Sequence, residues 1–433
     1  MIATVYPTSH LAGHISALGS KNYTSRYVLA ATLANGTSRL VNPATIDDAN
    51  VMIDCCRHLG AHITATPGEL QIVGAGPLRS PGELSVGNAG AVARFLMGVA
   101  ATLPTPTRFT TPYPASLGQR PHGDLLAALQ TLGCPSTSNQ GRLPITIQGG
   151  LRYGGRVEVS GAVSSQFTSA LLFLAPLLIG TSEIVVTGVQ RSALIINQTL
   201  RVLTDSGINV TASADKRLFR IDGPQPYLPG EHYIPGDWPG AAAILAAAAV
   251  TQSDITVTGL DNTDGQGESA ILRVLNAMGA DITYNHTKKE VRLRGGRPLQ
   301  AIEFDGDQAT DAVLAMVAAA ALAQGTSRFY NIENLRYKES DRISDFCRQL
   351  QLLGVAVQEQ KDAIIIQGCP QGYQGGVSVD GCHDHRLLMA LTIVGLRCSQ
   401  PIHLLGSEHI SKSYPDFFAD MGSLGAVVEI KAN

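Results

Sequence analysis

Seven basic residues stand in short polar motifs of a chain that carries few charges. They are Lys21 and Arg26 in GSKNYTSR, Arg120 in GQRPHG, Lys338 and Arg342 in NLRYKESDR, Arg386 in DHR, and Lys412 in ISKSYPD. Arg94 in GNAGAVAR is a further cation. Lys338 and Arg342 are four apart and share a face if that segment is helical, with Glu339 and Asp341 beside them. A planar guanidinium grips carboxylate or phosphate in two places and an ammonium acts as a point charge, so the mixture suits small anionic ligands. A single Lys or Arg is ordinarily a solvated surface charge; it is their grouping in polar motifs that singles these out.

The elements that must position these residues repeat. Helix-like segments ending in glycine recur as CCRHLGAHI, ALQTLGCPS, VLTDSGINV, VLNAMGADI, QLQLLGVAV and DMGSLGAVV, with glycines at 60, 133, 207, 279, 354 and 425. Successive spacings are 73, 74, 72, 75 and 71 residues. Glycine just past a last helical turn adopts the left-handed conformation that ends a helix. Alternating apolar hairpins such as INVTASADKRLFRIDG follow the first five glycines. A small-residue helix and a short strand precede each, as in ILAAAAVTQSDITVTG. Such a unit is too long for a solenoid repeat and long enough for a βαβ-type module with its own sheet.

Each small-residue helix opens on polar or glycine residues. Lys21, Gly90, Ser165, Asp237, Asp311 and Asp384 mark these starts, at steps of 69, 75, 72, 74 and 73 residues. Ordinary helix capping accounts for any one of them. As a set they predict helix N-termini aimed alike, three from each lobe, whose free N–H groups form an anion trap. The sixth unit is cut short after AVVEIKAN, and the strand-like MIATVYPT can complete it. The chain then crosses twice between two lobes, the second time through PQPYLPGEHYIPGDWPG. The expectation is an α/β protein with one lobe over residues 20–235 and another over residues 1–19 plus 236–433, and a ligand cleft between them.

The 433 residues are 44% hydrophobic, 15% charged and 5% aromatic, with a formal net charge of −3. That length predicts two or three domains, and the apolar content excludes disorder. A nucleic-acid partner is not expected, because the chain is neither basic overall nor carries a basic run. Its most apolar windows, residues 170–180 and 241–250, fall short of the roughly 18–20 residues that span a bilayer, so they read as buried helices and no membrane partner is expected. The N-terminus lacks the features of a signal or transit peptide. Seven cysteines without a CxxC pair read as reduced thiols in a cytoplasmic protein. His383-Asp384-His385 offers no evident third ligand, so no metal is expected. DNTDGQGES lacks calcium-loop spacing and reads as a turn before a helix. No cofactor is expected either.

GSKNYTSR, GNAGAVAR, QRPHG, VSSQF, ATDA, NLRYKESDR, DHR and KSYPD, in this order and spacing, resemble the 5-enolpyruvylshikimate-3-phosphate synthases, of the enolpyruvyl transferase family. The resemblance runs through nearly the whole chain. It implies a two-lobed inside-out α/β barrel of six βαβαββ repeats, three per lobe, in keeping with the period of about 73 residues. It also implies transfer of the enolpyruvyl group of phosphoenolpyruvate to the 5-hydroxyl of shikimate 3-phosphate, with release of phosphate, on the shikimate pathway to chorismate and the aromatic amino acids. By this resemblance phosphoenolpyruvate meets Lys21, Gly90, Arg120, Gln166, Arg342, Arg386 and Lys412. Shikimate 3-phosphate meets Lys21, Asn22, Arg26, Ser164, Ser165, Gln166, Ser192, Asp311, Asn334 and Lys338. Attack of a hydroxyl on the enol carbon needs a base for the hydroxyl and an acid for the methylene carbon. Asp311, at a helix start, is the candidate base, and the resemblance makes Lys21 and Glu339 the acid–base partners.

The chain departs from the family pattern at Asn22, where serine is usual, at Ile195, where tyrosine is usual, and at Ala91 and Phe95. Three other readings stand beside the main one. The sister enzyme acting on UDP-N-acetylglucosamine carries a cysteine in the loop that here reads PASLGQRP. A transferase with another acceptor, such as a nucleotide, is the reading that Asn22 and Ile195 favour. A non-catalytic binding protein would have no need of Asp311 and Glu339. Substrate-driven closure of the lobes is expected, with a monomer as the default assembly.

Overall fold

The computed structural model describes residues 1–431; the last two residues of AVVEIKAN lie outside them. Among the described residues the backbone forms six four-stranded sheets. The second repeat shows the plan: strand Glu83–Ser85, helix Gly90–Ala100, strand Thr107–Thr110, helix Gly123–Thr131, then the hairpin Ser136–Asn139 and Arg142–Ile147. Its first strand is parallel to its second, its fourth lies antiparallel beside the second, and its third takes the far edge. Leu84 stands opposite Phe109, and Phe109 opposite Ile145; all three are buried, as the two-residue period of a one-sided sheet requires. This is the expected βαβαββ repeat.

The first helix of each repeat, its opening helix, is a core element. Every residue of Trp238–Val250, Val313–Ala320 and His385–Gly395 is buried, and the three pack on one another. A helix apolar all round is stable only when enclosed, and short side chains such as alanine let helix axes come close. That packing explains the low aromatic content. The second helix of a repeat is amphipathic instead. Arg342–Leu352 buries Ile343, Phe346, Cys347 and Leu350, at helical spacing. No helix among the described residues is long and apolar enough to cross a membrane.

The chain divides into two compact units, Gly19–Ile234 and Met1–Leu18 joined with the chain from Pro235 onward. Three strands are lent out of sequence order. Ile2–Val5 lies between Ile402–Leu405 and Val428–Lys431, antiparallel to both, and so completes the sixth sheet as MIATVYPT predicted. His10–Ser16 pairs in parallel with Gln252–Thr258 and supplies the first strand of repeat 4. Glu231–Tyr233 does the same for repeat 1, beside Thr37–Val41. The segment PQPYLPGEHYIPGDWPG is therefore part strand as well as turn punctuation.

All six helix-ending glycines have positive φ, from +79° at Gly207 to +111° at Gly60. A second glycine series went unread in the sequence. Gly74, Gly149, Gly295 and Gly368 follow the fourth strands of their repeats and Gly223 ends its own, where the chain passes the end of the opening helix. A Cβ on Gly295 would stand 2.0 Å from the Thr251 carbonyl oxygen and 2.3 Å from that of Ala248. In the sixth repeat the N-terminal chain makes the equivalent closure, with the Thr8 N–H donating to the Leu396 carbonyl at 2.9 Å. The two series predict different penalties within repeat 4. At Gly279 (φ +96°) a Cβ would stand 3.7 Å from the Pro298 carbonyl, an ordinary contact, so Gly279→Ala costs only the left-handed strain, about 1–2 kcal/mol. Gly295→Ala forces Cβ into two carbonyls and costs about 3 kcal/mol or more. Urea unfolding midpoints check the order, and equal shifts would contradict it.

Candidate active site

In the unit Gly19–Ile234, Lys21, Arg26 and Arg94 stand on two helices whose cap residues make no side-chain cap hydrogen bond. Lys21 is the first residue of the helix Lys21–Leu33, and its Nζ lies 3.2 Å from Asp48 in the second helix of the same repeat. One turn later Arg26 is almost fully buried. Its Nη1 donates to the Asn22 carbonyl at 2.9 Å, its Nε donates to Thr199 Oγ1 at 2.9 Å, and its guanidinium lies over the Phe95 ring. Nη2 has no hydrogen-bond partner and the side chain no carboxylate partner among the described residues. Burial pulls the Arg26 guanidinium down to about 10. It is still charged at neutral pH.

Gly90, Arg120 and Gln166 meet. A Cβ on Gly90 would stand 2.9 Å from Arg120 Nη1 and 3.7 Å from Gln166 Oε1, so glycine leaves the guanidinium its place. Arg94, one turn into the same helix, donates from Nη1 to Gln166 Oε1 at 2.7 Å and to Ser164 Oγ at 3.0 Å. Ser164 caps Ser165–Leu174 by accepting from the Gln166 N–H, and Ser165 is buried as the first helical residue. Ser192 is buried with φ at +51°, just ahead of the helix Leu194–Asp205 on which Ile195 is also buried. His122 was not singled out in the sequence. Burial first, then the charges of Arg94 and Arg120, push it well below the ordinary imidazole range, so it is neutral.

The other unit is organised around Arg342, the first residue of the helix Arg342–Leu352 and 2% exposed. Its Nε lies 2.7 Å from Asp384 Oδ2, its Nη1 2.9 Å from Asp311 Oδ1 and its Nη2 2.8 Å from Glu339 Oε2. Burial pulls this guanidinium down, but the charges of Asp384, Glu339 and Asp311 together raise it above its ordinary value. Glu339 also holds Lys412 Nζ at 3.0 Å, and Asp311 holds Lys338 Nζ at 3.4 Å. Asn334 is buried in the 3-10 turn Glu333–Tyr337 that leads to Lys338. Arg342, Lys338 and Lys412 thus balance Asp311, Glu339 and Asp384. Arg386 is the surplus: it is 5% exposed, with Nε and Nη1 lacking hydrogen-bond partners among the described residues.

Two expectations need correction. Asp311 does not begin a helix: it lies in the turn before Val313–Ala320, whose cap residue is Ala312. Nor are the opening helices of this unit bare anion sites. Asp237 caps Trp238–Val250 by accepting from the Gly240 N–H at 2.9 Å, and Asp384 caps His385–Gly395 by accepting from the Arg386 N–H at 2.8 Å. Carboxylates already occupy those N-termini, so the positive field of this unit comes from side chains. Asp48, which pairs with Lys21, and Glu268, whose Oε1 accepts from the Asp311 N–H, were both missed. Neither lies in a motif with a recognisable spacing; Glu268 falls in the rejected DNTDGQGES stretch.

The charge balance makes Arg342 structural as well as chemical. Arg342→Met leaves the buried Asp384 without its cation and takes one of two cations from Asp311 and from Glu339, and is expected to lower stability by about 3–5 kcal/mol. Arg386→Met removes a buried cation with no carboxylate partner and should leave stability within about 1 kcal/mol of the parent, or raise it. Thermal unfolding of the two variants checks the contrast.

Known proteins share this architecture. A family model described as EPSP synthase (3-phosphoshikimate 1-carboxyvinyltransferase) matches residues 5–421. The chain is 48% identical over 426 residues to the 3-phosphoshikimate 1-carboxyvinyltransferase of Deinococcus radiodurans, covering 98% of this chain and 96% of that one. It is 40% identical over 426 residues to that of Burkholderia pseudomallei, covering 98% and 94%. An EPSP synthase structure from Acinetobacter baumannii matches with a TM-score of 0.84 at 26% identity, over the full length of both chains. The chain belongs to the EPSP synthase (3-phosphoshikimate 1-carboxyvinyltransferase) family.

Proposed function

We propose that the chain transfers the enolpyruvyl group of phosphoenolpyruvate to the 5-hydroxyl of shikimate 3-phosphate and releases phosphate, with the residues gathered above as its machinery. The observation that carries the residue assignment is the pair of buried guanidinium groups, Arg26 in one unit and Arg386 in the other. Each is buried with nitrogens that the described residues leave unmatched. Buried cations of this kind call for anionic ligands, and the two substrates bring two phosphates and two carboxylates.

On this reading Arg26 holds the shikimate carboxylate, while Ser164, Ser165, Ser192 and Lys338 meet its phosphate, with Asn22, Gln166 and Asn334 close by. Phosphoenolpyruvate draws on Lys21, Gly90, Arg120 and Gln166 of one unit and on Arg342, Arg386 and Lys412 of the other. Offsetting the repulsion between the two anions lets them approach to reacting distance. Asp311 takes the proton of the 5-hydroxyl as its oxygen bonds to the enol carbon, and Lys21 or Glu339 delivers a proton to the methylene carbon. The tetrahedral adduct then breaks its bond to the phosphate oxygen and loses a methyl proton, which restores the double bond. Cationic groups stabilise the charge on the departing phosphate. Asp311 is engaged by Arg342 and Lys338 before substrate arrives. The substrate phosphate competes for Lys338 and so frees the carboxylate to act as base.

The seven free cysteines fit a reducing cytoplasm, where the protein acts as a monomer on this reading. Five of the seven are buried. Burial also pushes the Cys56 and Cys347 thiols up to about 12, which keeps them unreactive.

Phosphate release from phosphoenolpyruvate is the direct test, with shikimate 3-phosphate, UMP and UDP-N-acetylglucosamine as separate acceptors. Turnover is expected with the shikimate acceptor alone, and its absence there overturns the reading. Asp311→Ala is expected to lower kcat by about 10²–10⁴-fold in a protein that still folds, even though unpairing Arg342 and Lys338 lowers its unfolding midpoint. Parent-like turnover in that variant refutes the base assignment.

A further inference from the structure

Asp311 is held by a residue of the preceding repeat. It lies between the 3-10 segment Gly306–Ala309 and the helix Val313–Ala320, where leading N–H groups find no partner inside the helix. Its N–H donates to Glu268 Oε1 at 3.4 Å. Glu268 belongs to the 3-10 turn Gly267–Ala270, which packs on Gly306–Ala309, and it is 2% exposed. Its Oε2 has no hydrogen-bond partner among the described residues. The charged groups around it are acidic or already engaged. Asp311 faces it across the shared hydrogen bond and is itself paired with Lys338 and Arg342. Asp237 lies near enough to add its charge, and Asp264 of the same loop accepts from Gln266. Burial, and next the charge of Asp311, push the Glu268 carboxyl up to about 7.

We propose that Glu268 is a positioning residue for the transfer: one oxygen of its buried carboxyl fixes the Asp311 main chain, and the other, unpartnered in the interior, disfavours negative charge beside groups that receive anions. The inference rests on the reading of Asp311 as the base. A carboxylate at the same place would anchor Asp311 equally well, but it would stand unpaired in the interior and repel both substrates.

Kinetics and thermal unfolding of the full-length protein, Glu268→Gln and Glu268→Ala test this between about pH 4.5 and pH 9. Glu268→Ala loses the acceptor, and its kcat is expected to fall at least about tenfold with KM within about threefold. Glu268→Gln keeps an acceptor oxygen and bears no charge, so its kcat recovers to within about threefold of the parent. The parent KM for both anions rises as pH passes about 7, whereas that of Glu268→Gln shows no such rise. Stability gives a readout independent of turnover. The folded carboxyl keeps its proton above the unfolded value of 4.5, so its contribution is full below that pH and fades as pH rises through about 7. The unfolding midpoint of the parent therefore falls away from that of Glu268→Gln across this window and stays lower above it. A Gln variant as impaired as the Ala variant, an Ala variant with parent kcat, or a midpoint gap constant with pH each overturns the proposal. Absent parent turnover with shikimate 3-phosphate would instead defeat the transfer reading, and the midpoint gap would still decide whether Glu268 is neutral.

Discussion

The Arg342 guanidinium is shut away from water and bound on three sides by Asp384, Asp311 and Glu339, which come from different segments of the chain. Removing water from one cation and three anions is unfavourable unless each is matched, and the geometry matches them in pairs. That requirement fixes the rest of the unit. The buried helix His385–Gly395 must deliver Asp384 at its N-terminus, the turn before Val313–Ala320 must deliver Asp311, and Arg342 must open its own helix. Lys338 then shares Asp311 Oδ1 with Arg342, and Lys412 takes the Glu339 oxygen that Arg342 leaves. A preorganised set of this kind costs no reorganisation when substrate charge arrives.

The two units differ at the starts of their opening helices. In Gly19–Ile234 these begin with Lys21, Gly90 and Ser165, with no acidic residue in the first turn, and only the last is capped by a side chain, that of Ser164. In the other unit Asp237 and Asp384 satisfy leading N–H groups, and the positive field is carried by Arg386 and the paired cations. A near-neutral chain can thus present strong local positive potential, because its surplus cations are few and buried rather than many and exposed.

Much of this was legible in the residues. The glycines at 60, 133, 207, 279, 354 and 425 sit at helix ends because left-handed backbone there admits little else, and that constraint showed as a period. The motifs also pointed to Arg26, Arg342 and Arg386, which are buried. Contacts were less legible. Lys21–Asp48 joins two helices of one repeat across a strand, and Glu268–Asp311 joins two turns 43 residues apart, and no local pattern marks either pair. The second glycine series escaped for a related reason. Its members answer to carbonyl groups at the end of a helix about 40 residues earlier, so only packing reveals why no Cβ is tolerated. Placing Asp311 at a helix start erred by the one turn that an acidic residue near a helix N-terminus leaves ambiguous.

The strand Ile2–Val5 has a bearing on when the protein can fold. Its neighbours in the sheet are Ile402–Leu405 and Val428–Lys431, far along the chain, so this strand waits for both of them to be made. The unit Gly19–Ile234 needs nothing beyond Glu231–Tyr233 and can close while the ribosome is still working. Two sheets of its companion can close earlier, but the sheet that holds Ile2–Val5 stays incomplete until Val428–Lys431 has been made. A strand left waiting in this way is a ready partner for another chain, and the time spent unpaired grows with every residue inserted between it and its neighbours.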